Sequence, residues 1–157
     1  IDLEEKQISI IPMIGGNLKN WVERYYLKDS NVIEFHIYDR DSSSGRNTEQ
    51  YKEQAEKINS RPDKSFAVLT KKRELENYIP KEIYNEYFKT VDCNSISDWD
   101  NEDLPTFFAS KTGLKQGEVK SIVNGCLAKR LTKEMLVQLD AFEEIKGWFE
   151  KISELYE

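Results

Sequence analysis

A short apolar segment that ends in two aspartates limits the possible folds of this chain more than any other feature. Residues 32–38 read Val-Ile-Glu-Phe-His-Ile-Tyr, and the triplet Asp39-Arg40-Asp41 follows at once. Near-continuous apolarity over such a length is typical of a strand that is buried on both faces of a parallel sheet. In sheets of this kind, ligands bind beyond the carboxyl ends of the strands. The pattern therefore predicts an α/β fold that presents acidic side chains at the ligand-binding edge of its sheet.

Segments typical of strands and of helices alternate through the first half of the chain, which favours a parallel sheet flanked by helices. Beside the strand at 32–38, we predict strands over residues 8–13 and 66–69. A helix is expected over residues 17–28, because apolar residues recur there close to the helical period. Another is expected from about Asn47, where Gln50 three residues later resembles a capping box.

The second half of the chain has a helical pattern. The predicted helices cover residues 81–88, 105–110, 117–129, 132–139 and 142–156. An acidic stretch separates the first of these from the others. We therefore predict an α/β core over residues 1–90, an acidic linker over 91–104 and a helical extension over 105–157.

Composition and charge restrict the setting in which the protein works. The chain has 157 residues, of which 38% are hydrophobic and 33% charged, and this balance is typical of a soluble protein. No apolar run approaches the ~20 residues that span a bilayer, and the start lacks the pattern of a signal peptide, so we expect a cytoplasmic location and no membrane partner.

The formal net charge of −6 argues against a protein that coats DNA by charge alone. Six basic residues and one acidic residue lie between Lys111 and Lys133, however, and such a local basic face can bind a polyanion.

Two pairs of acidic residues follow the predicted strands. Asp39 and Asp41 are two residues apart, so on an extended backbone both side chains point the same way. Glu74 and Glu76 repeat this spacing after the strand at 66–69. Carboxylates without a cluster of His or Cys are the ligands that Mg²⁺ or Mn²⁺ prefers. We therefore expect a divalent-cation site here, although acids in these positions can also simply cap the following loops.

The order of these motifs resembles a known family. An apolar strand leads to Gly15-Gly16, a second apolar strand ends in Asp39-Arg40-Asp41, and Arg73-Glu74-Leu75-Glu76-Asn77-Tyr78 follows the third. This order is similar to that of the TOPRIM domain in the OLD (overcoming lysogenization defect) family of ATP-dependent nucleases and related ATPase-linked antiphage effectors. The resemblance covers Ile8 to about Tyr78 and extends more loosely to Leu136.

The resemblance implies a TOPRIM-like Rossmannoid parallel sheet with flanking helices, and a DNA endonuclease that uses two Mg²⁺ or Mn²⁺ ions. Asp39 and Asp41 match the Asp-x-Asp metal ligands of the family. Glu76 matches its later acidic ligand, with Glu74 as the alternative. The family also uses a lysine that balances charge in the transition state, and Lys120 is the best match by position, followed by Lys129.

The chain departs from the family pattern at its front. A TOPRIM domain opens with a strand that ends in a catalytic Glu, and nothing before Ile8 can supply that strand. Because Ile1 is an unusual natural start, we expect the chain to be an excerpt from a longer polypeptide. There is also no G-x-x-x-x-G-K-[ST] phosphate loop. The expected partners are therefore DNA, an ATPase domain in the same polypeptide or in a partner subunit, and a second copy of the chain in a homo-oligomer. ATP would act only through the ATPase domain.

Two alternatives stay open at the level of sequence. A phosphatase of the haloacid-dehalogenase type also carries Asp-x-Asp at a strand end and uses the first Asp as its nucleophile. In that case Asp39 would attack the phosphoester, and Asp98 and Asp100 would supply the later acidic pair. The other alternative is a TOPRIM-like module that serves in assembly and has no catalytic activity.

Overall fold

Two short strands, β1 (Phe35–Tyr38) and β2 (Phe66–Leu69), pair in parallel in the computed structural model, which describes residues 4–13, 17–41 and 51–156. Phe35 lies opposite Phe66, and the pairing continues to the ends of both strands. Parallel strands need a crossover connection, and helix α2 (Lys52–Asn59) lies within it and packs on β2. The Asn59 side chain accepts a hydrogen bond from the backbone N–H of Ala67 (2.8 Å) and donates one to its carbonyl (3.1 Å). This double contact fixes α2 against the sheet.

The sheet is smaller than the sequence predicts. The prediction of a strand over residues 8–13 is wrong, because those residues have no regular secondary structure. Met13 packs at the edge of an apolar cluster, but Ile10 is 76% exposed, and Pro12 has no N–H for a strand ladder. The predicted strand at 32–38 is regular only from Phe35, whereas the one at 66–69 is confirmed. Gly15, Gly16 and the helix start expected near Asn47 lie outside the described residues.

The described part of the chain contains seven α-helices. Helix α1 (Asn17–Arg24) stops short of the predicted end at residue 28 because Tyr25 has a positive φ of 47°. The helices of the second half are α3 (Lys81–Tyr87), α4 (Leu104–Thr112), α5 (Gln116–Ile122), α6 (Lys133–Gln138) and α7 (Phe142–Tyr156). None of the described helices is both long enough and apolar enough to span a membrane.

The predicted helix at 117–129 is regular only in its first half. After α5 the chain continues as a π-turn over Val123–Leu127 and then as a 3-10 turn over Ala128–Arg130. The π-turn widens the helix by one residue per turn, and such turns occur often at functional sites.

The apolar side chains form two clusters. The first lies between the sheet and helices α1 and α2. The second, larger cluster joins α3, α4, α5 and the π-turn. The segment 91–104, expected to be an acidic linker, contributes Val91, Cys93, Ile96, Trp99 and Leu104 to this second cluster. The mixed α/β architecture is thus a small parallel sheet joined to a larger helical part.

Candidate metal centre

Asp39 lies directly after β1, at the carboxyl end of the sheet. Its Oδ1 accepts a hydrogen bond from the backbone N–H of Leu75 at 3.0 Å. The two strand ends are tied together beside it, because the N–H of Thr70 donates to the carbonyl of Tyr38 (2.9 Å) and the Thr70 hydroxyl accepts from the N–H of Arg40 (3.0 Å). Asp39 is therefore held between the end of β1 and the loop that follows β2.

Glu74 and Glu76 lie in that loop, at the start of a 3-10 turn over Leu75–Tyr78. Asn77, which is fully buried, holds the turn in place. Its side-chain oxygen accepts from the N–H of Glu74 at 3.0 Å, and its amide nitrogen donates to the carbonyls of Trp99 (2.6 Å) and Glu102 (3.0 Å). Both glutamates are buried as a result, Glu76 with only 3% of its surface exposed.

Three carboxylates meet at this point. One oxygen from each of Asp39, Glu74 and Glu76 lies within 4.8 Å of the other two. The Lys120 ammonium, on α5, is 2.7 Å from Glu74 Oε2 and 3.8 Å from Glu76 Oε1. The side-chain amide of Asn124, on the π-turn, donates to Glu76 Oε1 at 3.1 Å. We call these five residues the acidic site.

The three carboxylates of the acidic site carry more negative charge than the single positive charge of Lys120 offsets. Burial and the neighbouring charge of Glu76 raise the pKa of Asp39 to about 6. Burial also raises the pKa of Glu74, even though Lys120 acts in the opposite direction. Burial alone would lower the pKa of Lys120, but the hydrogen bond to Glu74 and the carboxylate charges raise it, so it stays protonated. A bound cation would relieve the remaining repulsion.

The donor set fits a hard divalent cation. All three candidate ligand groups are carboxylates, and no His or Cys among the described residues joins them. Mg²⁺ and Mn²⁺ prefer such oxygen ligands, whereas Zn²⁺ usually takes nitrogen or sulfur as well. Asp39, Glu74 and Glu76 are therefore the residues that could hold the ion.

Asp41, predicted to act together with Asp39, is not part of the group of three. Its backbone has a positive φ of 42°, so the chain does not stay extended from Asp39 to Asp41 and the two side chains do not share one direction. Its N–H donates to the carbonyl of Arg73 (2.9 Å), and its Oδ1 is 3.7 Å from the Arg73 guanidinium. That guanidinium also lies 3.5 Å from Glu74 and 3.3 Å from Asp103. Arg73 thus separates Asp41 from the acidic site.

The other predicted candidates lie elsewhere. Lys129 is exposed on the 3-10 turn over Ala128–Arg130 and makes no ion pair with a described carboxylate. Asp98 accepts two hydrogen bonds from the Asn101 side chain, and Asp100 pairs with Lys72 at 2.5 Å. The sequence reasoning missed Asn124, and its one usable signal was the spacing of four residues from Lys120.

Comparisons of the chain with protein-family models, with curated proteins and with solved structures give no match. The fold and the site define a class by themselves: a mixed α/β protein with a buried carboxylate group at the carboxyl end of parallel strands. The function is therefore inferred from the chemistry of the acidic site and from the order of its motifs.

Proposed function

We propose that this chain carries the metal site of a Mg²⁺- or Mn²⁺-dependent nuclease that hydrolyses phosphodiester bonds in DNA. The observation that carries this proposal is the convergence of Asp39, Glu74 and Glu76 with Lys120. These residues come from three separate parts of the sequence. They are also the positions that match the metal ligands and the lysine of the TOPRIM domain. The resemblance also implies an antiphage setting, an ATPase partner and a second metal ion, and these belong to the same proposal. Asp41, two residues after Asp39, is the nearest further carboxylate in the sequence that could serve the second ion.

The three carboxylates and Lys120 each have a chemical task in this reaction. Divalent ions bound here would polarise the phosphoryl oxygen and lower the pKa of a bound water. Asp39, Glu74 and Glu76 supply the ligand oxygens. Lys120 is 43% exposed on its side chain, so its ammonium can contact a phosphate from the solvent side while it offsets the charge of Glu74. A fixed positive charge at that point stabilises the negative charge that develops on the phosphate.

The stretch of sequence that contains Lys120 is rich in basic residues that could attract a polyanionic substrate. Five further basic residues of the same stretch are exposed: Lys111, Lys115, Lys129, Arg130 and Lys133. Clustered basic side chains attract the phosphate backbone even when the protein as a whole is acidic. The net charge of −6 therefore does not by itself oppose DNA binding through this stretch.

A plasmid-nicking assay tests the proposal. The purified protein is incubated with supercoiled DNA and Mn²⁺ or Mg²⁺, alongside Asp39→Asn, Glu76→Gln and the matched pair Lys120→Met and Lys129→Met. We expect metal-dependent cleavage by the wild type, and losses of about 100-fold or more for the three changes in the acidic site, a size typical of removing one charge-stabilising group. Lys129→Met removes only one of several exposed positive charges and leaves the acidic site intact, so it should retain most of the wild-type rate.

The controls make the result decisive. Glu150→Gln removes an exposed acid on α7, far along the chain from the site, and should cleave like the wild type. EDTA should stop cleavage in every sample. Metal-independent cleavage, or equal cleavage by the wild type and Asp39→Asn, would contradict the proposal.

A further inference from the structure

Helix α5 and the π-turn place two polar side chains on the two buried glutamates. Lys120 contacts Glu74 at 2.7 Å, and Asn124, four residues later, donates to Glu76 at 3.1 Å. Residues four apart lie on the same face of a helix, so one face of this segment covers both carboxylates.

The orientation of this face is fixed by the core. Val119, Val123 and Leu127 are fully buried and follow one another at intervals of four residues. Lys120 comes directly after the first of these anchors, and Asn124 comes directly after the second. Because the anchors cannot turn, the two polar side chains are held toward the glutamates.

The two contacts differ in their chemistry. The Lys120 ammonium offsets the charge of the glutamate that it binds. An amide is neutral, so Asn124 can fix one oxygen of Glu76 and leave the negative charge of the carboxylate in place. An ionised carboxylate can only accept hydrogen bonds, which requires the amide nitrogen of Asn124 to face it.

Each carboxylate of the acidic site therefore has a fixed donor. Asp39 accepts from the N–H of Leu75, Glu74 from Lys120 and Glu76 from Asn124. Donors of this kind orient the ligands of a metal ion and strengthen its binding, typically by 10- to 100-fold.

We propose that Asn124 is a positioning residue that orients Glu76 for binding a divalent cation. This inference rests on the proposed metal site. Asn124 is exposed apart from its contact with Glu76, so its loss changes the direction of one ligand more than the packing of the fold.

Calorimetric titration with Mn²⁺ tests the role of Asn124. The variants are Asn124→Leu, which keeps the approximate shape without the donor, Asn124→Gln, which keeps an amide donor, and Ser121→Ala, an exposed neighbour. We expect Asn124→Leu to weaken the Kd for Mn²⁺ about 10-fold or more. Asn124→Gln should recover most of the affinity, and Ser121→Ala should match the wild type.

The metal-free unfolding temperature separates positioning from a structural role. The positioning role predicts that metal-free Asn124→Leu unfolds close to the wild-type temperature while its Kd is weaker. A lower metal-free unfolding temperature with an unchanged Kd would overturn the inference, as would equal Mn²⁺ affinity for Asn124→Leu and Asn124→Gln. If wild-type protein binds Mn²⁺ no better than Glu76→Gln, the metal site fails and the inference fails with it.

Discussion

Asp39 lies against two other carboxylates and is partly removed from water, and both conditions disfavour its charged form. Its hydrogen bond from Leu75 acts in the opposite direction but does not outweigh them. Without a bound cation, the ionised side chain therefore destabilises the fold. Residues placed in this way are characteristic of functional sites, where stability is lost in exchange for a ligand-binding geometry.

Asp39→Asn should stabilise the metal-free protein at alkaline pH. The pKa of Asp39 rises from its ordinary 3.8 to about 6 on folding. Below pH 3.8 the carboxyl is neutral in both states and costs nothing, whereas above 6 the folded state must hold the charge, so wild-type stability falls as the pH rises through this window. The full cost is on the order of 2–3 kcal/mol. Asn avoids this cost and still accepts the hydrogen bond from Leu75.

Thermal unfolding in EDTA measures this difference. At pH 8 the variant should unfold on the order of 5 °C above the wild type, and the gap should close toward pH 4. A variant that unfolds below the wild type at pH 8 would show that the charge of Asp39 is stabilised by the site instead.

At the scale of elements, the 3-10 turn over Leu75–Tyr78 decides where both glutamates lie. The turn is held by the fully buried Asn77, which satisfies the N–H of Glu74 and the carbonyls of Trp99 and Glu102. The hydroxyl of Tyr84, on α3, also donates to the carbonyl of Glu76 at 3.2 Å. The turn is thus attached to the core through its backbone and the Asn77 side chain, and these contacts do not use the two glutamate carboxylates.

Asn77→Leu should be strongly destabilising. The change keeps the approximate volume of the side chain but leaves one buried N–H and two buried carbonyls without their hydrogen-bond partner. Each buried group that finds no new partner lowers the free energy of unfolding by about 1–3 kcal/mol. A loss of about 3 kcal/mol in the free energy of unfolding is expected from urea denaturation. Asn94→Ala, at an exposed position, is the matched control and should change stability little. Equal midpoints for the two variants would contradict the role given to Asn77.

At the scale of the whole molecule, the acidic site takes its residues from both parts of the fold. Asp39 comes from the sheet and its cluster, whereas Lys120 and Asn124 are anchored in the helical cluster. Glu74 and Glu76 lie on the connection between them. The site therefore forms only when both parts of the fold have their observed relative placement.

Much of this arrangement follows from the sequence, because strand ends and motif order are local signals. The strand ends and the spacing of the acids indicate Asp39, Glu74 and Glu76, whereas only the family resemblance indicates Lys120, and the structure brings the four together. The pairing of Asp39 with Asp41 assumed an extended backbone, and the positive φ at Asp41 has no mark in the sequence, since Asp occurs in many conformations.

The remaining features depend on tertiary contacts. The apolar run at 8–13 has the composition of a strand but pairs with no strand among the described residues, and only Met13 packs against an apolar cluster. Asn124 looks like any exposed polar residue of a helix until the turn over Leu75–Tyr78 is placed beside it. The segment 91–104 is acidic in composition, yet its few apolar residues, Trp99 among them, lie in the core.

The most direct test of the central claim is the effect of Mn²⁺ on thermal unfolding at pH 8, measured for the wild type and for Glu76→Gln. Gln keeps the acceptor for Asn124 and the shape of the side chain, but it removes the charge of one ligand. At a concentration 100 times its Kd, Mn²⁺ should stabilise the wild type by about 2.7 kcal/mol, with a clear rise in unfolding temperature. Glu76→Gln should show little of this rise; an equal rise in both proteins, or none in the wild type, would contradict a cation site built on Asp39, Glu74 and Glu76.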